Sequence, residues 1–156
     1  MEKDFSLEDI VKFANDIVIV TEAYPLDKPG PKIVYVNQAF ADLTGFTPHE
    51  VIGKTPRILQ GPDSDPETMA EIRAALAKKE PVRTTIVNYS KSGRKYWLDI
   101  NIIPLKDSNG KVTHFAAIER DLTEIKKAAP LVSVHLEPVE QCSGQVRIES
   151  DGGSVG

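Results

Sequence analysis

The sequence predicts an α+β protein, an antiparallel sheet with short helices collected on one face. Three observations carry this expectation. IVIVTEA, from Ile17, is β-branched and continuous, the composition of a buried strand. The middle of the chain carries helix-start signals at Thr47 and again at Asp65. After it, VRTTIVNYS, KYWLDINIIPL and KVTHFAAIERDLTE follow one another through the short turns KSGR and DSNG, a strand meander. A leading helix, strands, short helices and a meander, in that order, describe a sheet with its helices on one side.

The elements follow from local chemistry. Ser6 is the expected N-cap of a short amphipathic helix, with Asp9 at the capping-box end and Ile10, Val11 and Phe13 supplying apolar contacts to a sheet or a partner subunit. Proline-rich YPLDKPGPK after the first strand must be a loop. KIVYV resumes strand and passes through Asn37 into the helical turn NQAFADLTGF, with Phe40 and Leu43 inward. Thr47 caps and Pro48 opens the next helix, after which Val51 and Ile52 pack before Gly53 stops it. Pro56 then begins a segment too short for a long helix, which breaks at Gly61-Pro62. Asp65-Pro66-Glu67 supplies a cap, a first-turn proline and a first-turn acid. Met69, Ile72 and Leu76 mark the buried face of that helix, and Lys78-Lys79 suit its C-terminal end.

Composition bounds the function. The chain has 156 residues, 40% hydrophobic and 27% charged, as expected for one globular domain with tails or a domain plus a fragment of a second. A net charge of -4 offers no basic stripe for nucleic acid. One cysteine, Cys142, excludes an internal disulfide and a cysteine-cluster metal site. No apolar run is long enough to span a bilayer and the acidic N-terminus is unlike a signal peptide, so a cytoplasmic protein without membrane contact is the expectation. His49, His114 and His135 lack metal-ligand spacing, and no P-loop or nucleophile–base pair argues for an enzyme.

From Ile17 to Glu124 the chain resembles a PAS domain, and within that superfamily the light-oxygen-voltage (LOV) branch. VYVNQAFADLTGFTPHEVIGK matches the general PAS pattern. RILQGPDSDPETMAEIRAAL, NYSKSGRKYW and HFAAIERDLTE are closer to LOV. The resemblance implies a five-stranded antiparallel sheet holding a ligand, FMN or FAD, under short helices. It also implies a homodimer that relays a signal to an effector domain or partner protein. Arg57 and Arg73 match the family's phosphate-binding arginines, Gln60 a contact to the ribityl chain and Asn88 one contact to the isoalloxazine. The chain departs from the family where LOV photoreceptors carry an Asn-Cys pair whose thiol bonds to the flavin in light. Thr55 and Pro56 stand there. A second polar strand residue, usually Asn, falls at Leu98, and the Gln that switches its hydrogen bonds to the flavin falls at Glu119.

Strand alternation independently groups Leu98, Ile100 and Ile102, then Phe115, Ala117 and Glu119, then Thr84, Ile86 and Asn88. If these faces line the concave side, they make an apolar pocket with Asn88 and Glu119 as its polar points. Structural readings stand beside the functional ones. Arg57 and Arg73 can pair with Asp63, Asp65 or Glu71; Glu119 can lie near a sheet edge or pair with Arg57; Asn88 can satisfy backbone groups; Trp97 reads as sheet packing.

The expected organisation is a helix over 1–15, a sensor domain over 16–124 and a C-terminal extension over 125–156. DLTEIKK begins like the coiled-coil linker leaving many PAS domains, but Ala128 to Pro130 cuts it short. Two alternating strands, Leu131 to Glu137 and Gln145 to Glu149, are expected beyond it. The functional expectation is a non-enzymatic signal-transduction module, flavin-binding without cysteinyl adduct chemistry. The alternative is a cofactor-free PAS dimerisation or interaction domain.

Overall fold

The computed structural model describes residues 5–27 and 29–125. By internal contacts the chain divides into two units, Met1–Thr123 and Glu124–Gly156. Of the second, only Glu124 and Ile125 are described, so the expected strands around Cys142 lie outside the described residues.

Five strands form one antiparallel sheet: β1 (Ile17–Glu22), β2 (Ile33–Val36), β3 (Val82–Tyr89), β4 (Lys95–Lys106) and β5 (Val112–Asp121). Their order, β2-β1-β5-β4-β3, puts the last strand in the centre. The β3–β4–β5 meander appears where KSGR and DSNG predict it. Inward-facing Ile17, Ile19, Ile86, Leu98, Ile100, Ile102 and Phe115 are all buried, so period-2 alternation delivers one apolar face to the core.

Asn37 joins the first elements. It caps α2 (Gln38–Thr44), its Oδ1 accepting from the Phe40 N–H at 3.2 Å and the Val18 N–H at 3.0 Å. Its Nδ2 donates to the Val11 and Asp16 carbonyls, each at 2.9 Å. One buried amide thereby ties the leading helix, β1 and α2 together. Phe40 is fully buried, and Gly45 ends α2 at φ 78°, a left-handed cap that suits glycine. Thr47 and Glu50 complete a reciprocal capping box on α3 (Pro48–Val51).

Two apolar expectations are corrected. The helix α1 (Leu7–Lys12) forms with Ser6 as its cap, but Ile10 is 56% exposed and Phe13 68% exposed. Six residues are under two turns, and none of them is buried, so Asn37 rather than an apolar face is what holds α1. Val51 is buried as expected, whereas Ile52 is exposed, because the chain leaves the helix there and turns at Gly53 (φ 88°).

Candidate functional site

The concave face of the sheet is roofed by a 3-10 turn, Pro56–Leu59, and by α4 (Pro66–Ala77). Thr55 caps the turn through its hydroxyl, and Pro56 starts it with the φ such a turn needs. Asp65 caps α4 by accepting from the Glu67 and Thr68 N–H groups and from the Thr68 hydroxyl. The Thr68 hydroxyl, ahead of the two amides, holds the Asp65 carboxyl below its ordinary range. Met69, Ile72 and Leu76 face the core as predicted, yet each is only half-buried, and no residue of α4 is fully enclosed.

Between roof and sheet lies a cavity of about 170 Å³. Its floor is Ile19 and Thr21 of β1, Ile86 and Asn88 of β3, Ile100 and Ile102 of β4, and Phe115, Ala117 and Glu119 of β5. Thr55, Pro56, Arg57, Leu59 and Gln60 line it from the turn, and Met69, Ile72, Arg73 and Leu76 from α4. All five residues singled out from the sequence, Arg57, Gln60, Arg73, Asn88 and Glu119, therefore meet at one cavity. Leu98 does not line it; it is fully buried in the adjoining core. Thr84, grouped with Ile86 by alternation, is not part of the lining either.

Glu119 is the unusual group. It is 4% exposed, neither at a sheet edge nor paired with Arg57, which corrects both structural alternatives. Its cross-strand neighbours are Ile17 on β1 and Ile100 on β4. With apolar strands on both sides, desolvation pushes its pKa up to about 8. A carboxyl in that state is neutral at pH 7 and can both donate and accept, like a carboxamide. Tyr96, buried nearby, has its phenol pushed above the ordinary range, first by burial and then by Glu119.

Asn88 is buried at the same face, and its side-chain amide makes no hydrogen bond to a described residue. The expectation that it serves only the sheet backbone is not met. Arg57, Gln60 and Arg73 are exposed at the mouth. Among the described residues neither arginine makes an ion pair: Asp63 is taken by Lys95 at 3.1 Å, and Asp65 by its capping role. Among the described residues the site is thus an apolar cleft with two unpartnered polar groups at depth and two unpartnered guanidiniums outside. Among the described residues, no group of three His, Cys, Asp or Glu side chains is arranged to hold a metal.

Sequence reasoning missed the loop between β1 and β2. Leu26, Gly30 and Pro31 also line the cavity. A Cβ on Gly30, at φ 101°, would lie 3.6 Å from Arg57 Nε, so the loop and the guanidinium are close neighbours. The available signal was Leu26, an apolar residue in an otherwise polar, proline-rich stretch.

A five-stranded antiparallel sheet roofed by short helices over an apolar cleft defines a small α+β ligand-cleft architecture, and comparison with known proteins places it. The model of the PAS domain matches residues 15–124, and the chain belongs to the PAS domain family. Among relatives, a blue-light-activated histidine kinase from Rhizobium johnstonii is 40% identical over 104 residues, 67% of this chain and 30% of the kinase. One from Brucella anthropi is 41% identical over 95 residues, 61% of this chain and 19% of the kinase. The chain thus spans less than a third of the length of these kinases. Among solved structures, a light-oxygen-voltage domain studied with a flavin analogue matches with TM-score 0.68 and 30% identity, over 83% of this chain and 93% of that one. The LOV domain of a blue-light activated histidine kinase from Erythrobacter litoralis matches with TM-score 0.63 and 30% identity, over 69% and 96%. The protein is a LOV-like PAS sensor module of the signal-transduction type.

Proposed function

We propose that this module binds a flavin mononucleotide or dinucleotide in the cleft and signals without a thiol–flavin bond. The observation that carries the reading is the pairing of an apolar cleft with Asn88 and Glu119 inside and two unpaired guanidiniums at its mouth. A planar heteroaromatic ring with polar edges suits the interior, and an anionic phosphate tail suits Arg57 and Arg73. Gln60, at the mouth beside them, is the group for the hydroxylated chain that joins ring and phosphate. Bound flavin would supply blue-light absorption and electron transfer. Pro56 stands where the family's reactive thiol lies, and the sole cysteine, Cys142, is 86 positions further along the chain. Neutral Glu119 donates a hydrogen bond to a ligand acceptor; when it ionises it can only accept, which changes what the central strand β5 presents to the ligand. We further propose that the module acts as a homodimer and passes its change to an effector, as a sensor rather than a catalyst.

The test compares FMN with riboflavin, which lacks the phosphate. Arg57→Ala and Arg73→Ala should each weaken FMN binding roughly tenfold and leave riboflavin binding nearly unchanged. Equal loss for both ligands would contradict the phosphate role. Sedimentation equilibrium checks the dimer, which a monomer at tens of micromolar would contradict.

A second reading, a cofactor-free PAS interaction module, has its own support. Leu98 replaces a polar residue of the family pattern and is fully enclosed, and about 170 Å³ is below the ~300–1,000 Å³ of most ligand pockets. On that reading Arg57→Ala leaves the ligand content of the purified protein unchanged.

A further inference from the structure

The roof is joined to the sheet at one place more firmly than along its length. Between the 3-10 turn and α4 the chain makes a tight turn, Gly61–Ser64, that sits against the outer edge of β3. The Tyr89 ring lies directly over Gly61: a Cβ there would be 2.4 Å from two ring carbons, so only glycine fits, for reasons of space. The Tyr89 hydroxyl accepts from the Asp63 N–H at 2.9 Å. The Ser64 hydroxyl donates to the Val87 carbonyl at 2.8 Å and accepts from the Gly61 N–H at 3.0 Å. The Ser64 N–H closes the turn on the Gly61 carbonyl at 3.0 Å. Lys95, directly across from Tyr89 on β4, adds an ion pair to Asp63.

Beyond this turn, among the described residues, no hydrogen bond or ion pair ties α4 to the sheet. No residue of α4 is fully buried, and its inward side chains, Met69, Ile72 and Leu76, pack only partly on the core and also line the cavity. The cavity is also small for an aromatic cofactor, so one of its walls must give way to admit it, and α4 is the wall held without polar ties. Tyr89 and Gly61 are each next in sequence to a cavity residue, Asn88 and Gln60.

We infer that Tyr89 and Ser64 are positioning residues that hold Gly61–Ser64 as the fixed pivot of the roof, so that ligand enters and leaves by outward movement of α4. This rests on the cleft being the ligand site, as proposed above. The latch fixes where the roof turns and keeps Gln60 in place at the mouth, while the half-buried face of α4 opens and closes.

The test uses the full chain with Tyr89→Phe, which keeps the ring over Gly61 and removes only the acceptor for Asp63, and Ser64→Ala, which removes both bonds of that hydroxyl. Two readouts are taken: backbone amide hydrogen exchange without ligand, and the release rate of FMN. Each variant should raise exchange across residues 60–77 and speed FMN release about three- to tenfold, with exchange in β1 and β5 unchanged. Wild-type exchange over 60–77 in both variants, or an even rise across the whole sheet, would overturn the inference. If the unmodified protein takes up no FMN, the flavin reading fails, and the exchange measurement still decides for or against the pivot.

Discussion

Glu119 has Ile17 on one side and Ile100 on the other, in the middle strand of five, and faces a cleft where no described residue shares its charge. Its burial has a thermodynamic consequence with a definite sign. The folded pKa of about 8 lies above the ordinary value of 4.5, so the unfolded chain loses this proton at lower pH than the folded one. The contribution of Glu119 to folding stability is therefore fullest below about 4.5, falls as pH rises toward 8 and levels off above it. The slope in that window approaches ~1.4 kcal/mol per pH unit from this one group. Glu119→Gln should flatten that decline in urea titrations between pH 5 and 8; an unchanged profile would show that another group causes it. With FMN as ligand, affinity should fall as pH passes about 8, and Glu119→Gln should remove the step. Alternation was enough to place Glu119 and Asn88 on one face, because the pleat dictates it. It could not tell centre from edge, since strand order depends on pairings far apart in sequence.

At the scale of elements, the helix starts were legible because caps are local chemistry. Ser6, Thr47 and Asp65 each accept hydrogen bonds from the following turn. What the sequence concealed was reach. Ile52 and Phe13 read as apolar contacts, but a helix of four or six residues cannot bring every apolar side chain inward. Asn37 carried the opposite error: it read as a passage into a helix and proves to hold α1, β1 and α2 through four hydrogen bonds. Asn37→Ala strands buried donors and acceptors as well as removing a cap. It should cost about 2–4 kcal/mol in urea unfolding, well above an ordinary cap deletion. A loss below 1 kcal/mol would contradict that role. Asn37→Asp keeps the accepting oxygen but sets a second carboxylate oxygen against the Val11 and Asp16 carbonyls, so it should cost at least as much as Asn37→Ala.

For the whole molecule, sheet order and cavity assemble one site from four strands, a 3-10 turn, a helix and a loop. The motifs around Arg57, Arg73, Asn88 and Glu119 pointed to that assembly because each lies in a locally distinctive stretch. Leu26, Gly30 and the Tyr89–Gly61 contact were hidden because they depend on two distant segments closing on each other. No described helix is long and apolar enough to cross a membrane. The central claim, a flavin held in this cleft without a thiol bond, is tested most directly by absorption. The measurement is a spectrum of freshly purified protein, in the dark and after blue light, followed by a spectrum of the supernatant after heat denaturation. The account expects a vibronically structured blue-absorbing band that heat releases as free flavin and that Cys142→Ala leaves unaltered in dark and light. A featureless spectrum that stays featureless after incubation with FMN or FAD would contradict it.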